Sequence, residues 1–183
     1  RTSIDNATKI DFATNEVPAT RLAPEYKLVR KSIRRGDFQL AKAQLQKMLS
    51  VDSSNFYYHY LMGKLCYEEE ELTEAKQHLT TALDLNSGDI QSIIALMSIH
   101  THIGDYDDAE KLLVTGLDIE PHNTDLTLAG AMMYEQNENL NRANTMYLDT
   151  INHSAKVDKV ALYCIIATNC AKLDNMLQAD RYY

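Results

Sequence analysis

The chain has 183 residues, a formal net charge of -8 and 45% hydrophobic residues, which suits one folded domain and argues against wholesale disorder. Its six glycines and three prolines are too few for the many turns of an all-β sandwich or barrel, so the composition favours helices. The acidic balance disfavours nucleic acid as the main partner, because phosphate binding depends on Lys and Arg side chains.

Several cellular settings are also disfavoured by the sequence. The longest apolar run, about residues 160–167, is far shorter than the roughly 20 residues of a membrane span, and the first residues lack the apolar stretch of a secretory signal. The cysteines are too sparse for a disulfide framework or a metal site, which predicts small buried thiols at Cys66, Cys164 and Cys170. We therefore expect a cytoplasmic protein. The absence of a starting Met is consistent with a fragment or a processed form that has lost a targeting segment.

Residues 1–21 show no repeating pattern and contain Pro18, so we interpret them as a linker or an extended N-terminal arm. Positive charge is concentrated near this end of the chain. Residues 1–50 contain ten Lys or Arg and five acidic residues, whereas the remainder contains eight basic and 21 acidic residues. The basic region is therefore local and needs an explanation of its own.

The first predicted helix carries much of this charge. Pro24 suits its first turn, and one basic stripe along it comprises Lys27, Arg30, Lys31 and Arg34. The stripe is either a solvated helix face or a docking point for an acidic segment, because Arg binds carboxylate and phosphate groups well.

A 34-residue pattern recurs along most of the chain. Each copy has a short turn, as in the Gly36-Asp37-Phe38 segment, followed by a second helix with one alanine in a constant position. These alanines are Ala41, Ala75, Ala109 and Ala143. A partial copy places Ala179 two residues late, so we expect two inserted residues within 154–159. Apolar residues at helical spacing in both helices must be buried against other helices.

This pattern resembles the tetratricopeptide repeat family over about residues 22–183. The family's small residue in the first helix is matched by Gly63, Ala131 and Ala167, whereas Val29 and Met97 are bulkier departures. Its closing proline survives only at Pro121, and its Trp is absent. The resemblance implies an all-α, right-handed superhelical solenoid of stacked helical hairpins. The predicted units are 22–55, 56–89, 90–123, 124–159 and an incomplete unit at 160–183.

In such a solenoid the first helix of each unit lines a concave groove. The side chains that the resemblance directs into this groove are Tyr26, Lys27, Arg30, Arg34, Tyr57, Tyr60, Lys64, Tyr67, Ile94, Leu128 and Met132. The spacing of the four members in the second unit puts them on one stripe. Tyrosine is well suited to interfaces, since its ring offers contact area and its hydroxyl tolerates water. The alternative for each tyrosine is packing between helices.

The sequence shows no catalytic signature, so we expect no enzyme, no cofactor and no metal site. His100 and His102 point to different faces of one helix, which favours packed or solvated histidines over metal ligands. The run from Glu68 to Glu71 coincides with a turn, which favours a solvated charge run over a cation site. Cys164 and Cys170 lack a patterned base that would make either a nucleophile.

One subfamily of these repeats clamps the acidic C-termini of chaperones with Lys and Asn side chains. The corresponding positions here hold Leu61, Gln91 and Ala95, so a co-chaperone role of that type is not expected. The main hypothesis is a scaffold that binds a peptide or helix of a partner protein, through an acidic or apolar segment. The alternatives are a self-associating module, with contacts through the unfinished C-terminal end, and the scaffold part of a larger regulatory or secretion/pilus-assembly protein.

Overall fold

The computed structural model describes residues 24–173, which form nine helices and no strand. The predicted arm at 1–21 and the end of the last unit, 174–183, lie outside the described residues. The helices are Pro24–Arg35 (α1), Phe38–Val51 (α2), Phe56–Glu68 (α3), Leu72–Leu85 (α4), Ile90–His102 (α5), Tyr106–Ile119 (α6), Thr124–Gln136 (α7), Leu140–His153 (α8) and Lys159–Lys172 (α9). Within this part of the chain, no helix is long and apolar enough to cross a bilayer.

Consecutive helices pair into four hairpins, α1–α2, α3–α4, α5–α6 and α7–α8, and α9 packs against α8. Each hairpin packs on the next one through its second helix. In addition, α3 lies against α5 and α5 against α7, so the first helices of successive hairpins form one layer. We call α1, α3, α5 and α7 the odd-helix layer. This arrangement confirms the predicted all-α solenoid of stacked helical hairpins.

Polar side chains define where the helices of this layer begin. The N-cap side chains of Asn55, Asp89 and Asn123 accept hydrogen bonds from backbone N–H groups in the first turns of α3, α5 and α7. Pro24 begins α1, as its position predicted.

The recurring alanines mark the positions at which the paired helices meet. Ala41, Ala75, Ala109 and Ala143 are all 0% exposed. Gly63 on α3 is packed as tightly, because a Cβ atom there would lie 2.6 Å from Leu79 Cγ. Small side chains at these points let the helix backbones approach closely.

The turns within the hairpins share one left-handed residue. It is Gly36 in the first hairpin and Gly104 in the third, with φ of 77° and 79°. The same register position is occupied by Glu70 and Glu138 in the second and fourth hairpins, with φ of 62° and 56°. A side chain with a Cβ atom is strained in this conformation.

Two expectations are corrected near the end of the described chain. The connection 154–158 is one residue longer than 120–123, and α9 has 14 residues against 13 in α7. The two extra residues are therefore divided between the connection and the helix. Cys66 and Cys170 are buried, but Cys164 is exposed because it lies on a different face of α9 from the buried Ile166 and Cys170.

Candidate protein-interaction surface

Three tyrosines connect α1 to α3 at the N-terminal end of the odd-helix layer. The hydroxyl oxygens of Tyr26 and Tyr57 are 2.6 Å apart, and their ring centroids are 5.6 Å apart. Tyr57 also stacks on Tyr60, with a centroid distance of 5.8 Å. We call Tyr26, Tyr57 and Tyr60 the tyrosine cluster. It brings together three of the residues that the sequence analysis assigned to the groove.

The members of the tyrosine cluster differ in accessibility. Tyr26 and Tyr60 are each 4% exposed, whereas Tyr57 is half-buried. Burial raises the pKa of Tyr57, and its hydrogen bond with Tyr26 raises it further. Burial also raises the pKa of Tyr60, with Asp89 and Asp125 adding to the effect. The Tyr57 and Tyr60 phenols therefore stay neutral, and Tyr57 is the most accessible member of the cluster.

Lys64 lies in the same region but is only 3% exposed. Its ammonium nitrogen is 5.3 Å from the centroid of the Tyr60 ring, within range of a cation–π interaction. Its charge is thus held beside the tyrosine cluster and is not displayed on open surface.

The basic stripe on α1 lies next to this cluster. Lys27, Lys31 and Arg34 are exposed, whereas Arg30 is half-buried. The positive charge of Arg30 acts on Tyr57 and partly offsets the rise in its pKa. Arg30 is therefore close enough to Tyr57 for its charge to act on the phenol, and both side chains are half-buried.

The remaining predicted groove residues lie farther along the layer and are not joined to the tyrosine cluster. Tyr67 is half-buried and meets His102 edge-on, with centroids 6.2 Å apart. Ile94 and Leu128 are half-buried and pack against the core, and Met132 is also half-buried. The layer is thus aromatic and basic at α1 and α3 but aliphatic at α5 and α7.

Sequence analysis missed one acidic contribution to this surface. Asp89 influences the titration of Tyr60, together with Asp125, which begins the next helix of the layer. Asp89 is also the N-cap of α5, and its carboxylate accepts hydrogen bonds from the Ser92 backbone N–H and hydroxyl, at 2.9 and 2.5 Å. The capping position was visible in the sequence, but its approach to a tyrosine of the preceding hairpin was not.

The sequence analysis favoured a solvated charge run for the glutamates at the α3–α4 turn. That expectation is corrected, because two of these glutamates bind a lysine of the preceding hairpin. Lys42 on α2 donates a hydrogen bond of 2.8 Å to Glu69 and a second one to Glu71. Although burial alone lowers the pKa of Lys42, these two hydrogen bonds raise it overall. The run therefore attaches the second hairpin to the first.

The two histidines of α5 differ in exposure and in their contacts. His100 is 4% exposed, and its Nδ1 atom lies 3.0 Å from the Asp105 carboxylate in the following turn. His102 is exposed and packs on Tyr67.

Burial raises the pKa of the Cys66 thiol to about 11, so this cysteine stays protonated at neutral pH.

Comparison with known proteins supports this description of the repeat. The family model described as "Tetratricopeptide repeat" matches residues 66–127, and no curated protein matches the chain. The chain is similar in structure to MamA from Desulfovibrio magneticus RS-1, with 14% identity and a TM-score of 0.73 over 88% of this chain and 93% of that one.

Two further solved structures share the fold. Pseudomonas aeruginosa PilF is 17% identical with a TM-score of 0.74, over 87% of this chain and 72% of that one. A thermophilic tetratricopeptide repeat protein from Thermus thermophilus is 12% identical with a TM-score of 0.68, over 87% and 86%. Residues 66–127 thus match the tetratricopeptide repeat family, and the stacked hairpins show the same kind of helical repeat over the described residues.

Proposed function

We propose that this protein is a protein-interaction scaffold whose odd-helix layer binds an extended or helical segment of a partner protein. The observation that carries the proposal is the half-buried Tyr57, which contacts Tyr26 of the helix that carries the basic stripe. Aromatic and Arg side chains dominate the energetics of many protein interfaces, because they combine a large contact area with directed hydrogen bonds.

The charge distribution along the layer suggests the chemistry of the partner segment. Lys27, Arg30 and Arg34 favour carboxylates near α1. Asp89 and Asp125, at the starts of α5 and α7, disfavour further acidic groups there. The half-buried Ile94 and Leu128 provide apolar contacts beyond that point. The best-matched ligand is therefore a segment that is acidic at one end and apolar at the other.

Charge reversal tests this assignment without disturbing the core. The double variant Lys27→Glu/Arg30→Glu should weaken partner binding by at least about 10-fold, since it places like charges opposite the acidic end of the ligand. The matched control is Lys76→Glu, an exposed charge reversal on α4, outside the layer. Affinity capture from the source organism identifies the partner, and titration calorimetry with the purified partner measures the change.

Equal affinity of the double variant, the control and the unmodified protein would overturn the assignment of binding to the odd-helix layer. Sedimentation at low and high salt separates this proposal from self-association. A larger mass at low salt than at high salt, without any partner, would favour the self-associating alternative, because opposite charges on two copies attract less as salt rises.

A further inference from the structure

Two histidines and one aspartate meet at the open end of the α7–α8 hairpin. His122 precedes α7, whereas Asp149 and His153 lie one turn apart near the end of α8. His153 Nδ1 is 3.0 Å from one carboxylate oxygen of Asp149, and His122 Nδ1 is 3.7 Å from the other. One donor atom from each residue lies within 4.8 Å of the other two.

From this cluster we infer a binding site for a divalent transition metal ion, with Zn²⁺ as the best-matched ion. Two imidazoles and one carboxylate are a common ligand set for zinc, with the fourth position left to water. Ligand atoms of a tetrahedral zinc site are about 3.4 Å apart, given bond lengths of about 2.1 Å. The separations of 3.0 and 3.7 Å between the imidazoles and the carboxylate lie on either side of that value.

Comparison of the hairpins shows that this ligand set is particular to the fourth one. The same register positions converge at the open end of each hairpin, because the repeat is 34 residues long. The second hairpin has Ser54, Thr81 and Leu85 at these positions, and the third has Gly88, Thr115 and Ile119. Neither set contains an imidazole or a carboxylate. The repeat scaffold thus supplies the geometry, and of the three hairpins compared only the fourth combines it with two imidazoles and a carboxylate.

Metal binding requires a small rearrangement that the exposed side chains permit. The rings of His122 and His153 are stacked, with centroids 3.8 Å apart and planes 14° apart. A metal ion binds in the plane of each ring, so the rings must turn until their lone pairs converge. His153 Nδ1 also lies 3.0 Å from the Asp149 carbonyl oxygen. Coordination through Nδ1 breaks this contact and moves the proton to Nε2. The side chains of His122 and His153 are 57% and 43% exposed, which leaves room for both movements.

A bound ion would join the start of α7 to the end of α8. These two ends lie opposite the α7–α8 turn, so the ion would close the open end of the hairpin. A ligand that binds only the folded state stabilises that state by mass action. Zinc should therefore raise the unfolding temperature of the protein through this site.

The test is a titration of the metal-free full chain with zinc chloride at pH 7.5, followed by isothermal calorimetry. We expect one site per chain, and His122→Ala or His153→Ala should weaken it by at least about 10-fold. Both side chains are exposed, so the variants should fold, which circular dichroism checks. The control His102→Ala removes an exposed imidazole elsewhere and should leave zinc affinity unchanged.

A second control excludes binding by any pair of neighbouring histidines. His59 and His78 also form a pair, with their Nδ1 atoms 3.0 Å apart. Zinc binding and the rise in unfolding temperature should survive His59→Ala and disappear in His122→Ala/His153→Ala. The proposal is overturned if zinc does not bind at 100 µM free ion, or if only His59→Ala abolishes binding. A cobalt titration gives an independent readout, since visible absorption bands should appear with the unmodified protein and not with the double variant.

Discussion

The second and third hairpins share one fold but are assembled from different residues. At the same register of their first helices, α3 has Gly63 and α5 has Met97, both in the core. The helices of the second hairpin pack more closely than those of the third. The distance between the two helices of a hairpin therefore depends on the size of the side chain at this position. Each hairpin has space for its own residue and not for the residue of the other hairpin.

The turns of these two hairpins differ as well. In the second, Glu69 and Glu71 bind Lys42 of the preceding hairpin. In the third, Asp105 binds His100 of its own hairpin. The same turn geometry thus serves once to attach neighbouring hairpins and once to close a single hairpin. The two hairpins thus share the backbone shape of the turn but differ in the side-chain contacts that it makes.

The largest expected effect comes from placing methionine, the residue of the third hairpin at this register, at position 63 of the second hairpin. Gly63→Met should destabilise the protein by about 3 kcal/mol, because even a Cβ atom would overlap Leu79 and crowd the Ala75 carbonyl oxygen. Urea unfolding followed by circular dichroism measures the change. The control Met97→Leu conserves volume in the wider hairpin and should cost less than about 1.5 kcal/mol. Equal stability of Gly63→Met and the unmodified protein would show that the close approach of α3 and α4 is not required.

A smaller effect should follow from exchanging the left-handed turn residues. Glu70→Gly relieves backbone strain and should stabilise the fold by about 1 kcal/mol, whereas Gly104→Ala introduces strain and should destabilise it by a similar amount. Thermal unfolding of both variants measures the two shifts, which should have opposite signs. Shifts of the same sign would mean that the backbone conformation does not control the stability of these turns.

The smallest effect concerns the contact between the first and second hairpins. The hydrogen bond from Lys42 lowers the pKa of Glu71 below its ordinary value of 4.5. Such a carboxyl group stabilises the fold above its unfolded-state pKa, and this contribution is lost as pH falls through the folded-state value. Lys42→Met should therefore lower the unfolding temperature by about 1 °C at pH 7, and by less at about pH 3.

Differential scanning fluorimetry between about pH 3 and pH 7 measures how the difference in unfolding temperature between Lys42→Met and the unmodified protein changes with pH. Lys76→Met is the matched control, because Lys76 is an exposed lysine with no ion pair among the described contacts of α4. If Lys42→Met and the unmodified protein differ by the same amount at both pH values, the ion pair does not contribute to the acid dependence of stability.

Much of the fold follows from short-range spacing in the sequence. The recurrence of alanine at 34-residue intervals predicted the points of closest helix contact, and all four alanines are fully buried. Asn55 and Asp89 are residue types that favour N-cap positions, and both accept hydrogen bonds from the backbone of the following helix. These features are readable because each depends on neighbours within a few residues along one helix or turn.

The candidate surface could be predicted only in part. Helical spacing placed Tyr57, Tyr60 and Lys64 on one stripe, but it did not show that two of them are almost fully buried. Their exposure depends on how closely the neighbouring helices approach, and those helices are about one repeat away in sequence. The convergence of His122 with His153 was missed for the same reason, although the i, i+4 spacing of Asp149 and His153 was a signal available in the sequence.

The amino-acid sequence by itself determined the helical hairpins, their 34-residue register and the small residues at their contacts, because periodicity decides which side chains share a helix face. Only the tertiary structure decided which of those side chains remain accessible, which acidic residues Lys42 pairs with and where imidazoles from separate segments meet. Such contacts depend on the distances between neighbouring helices, and those distances result from side chains packing across the whole stack.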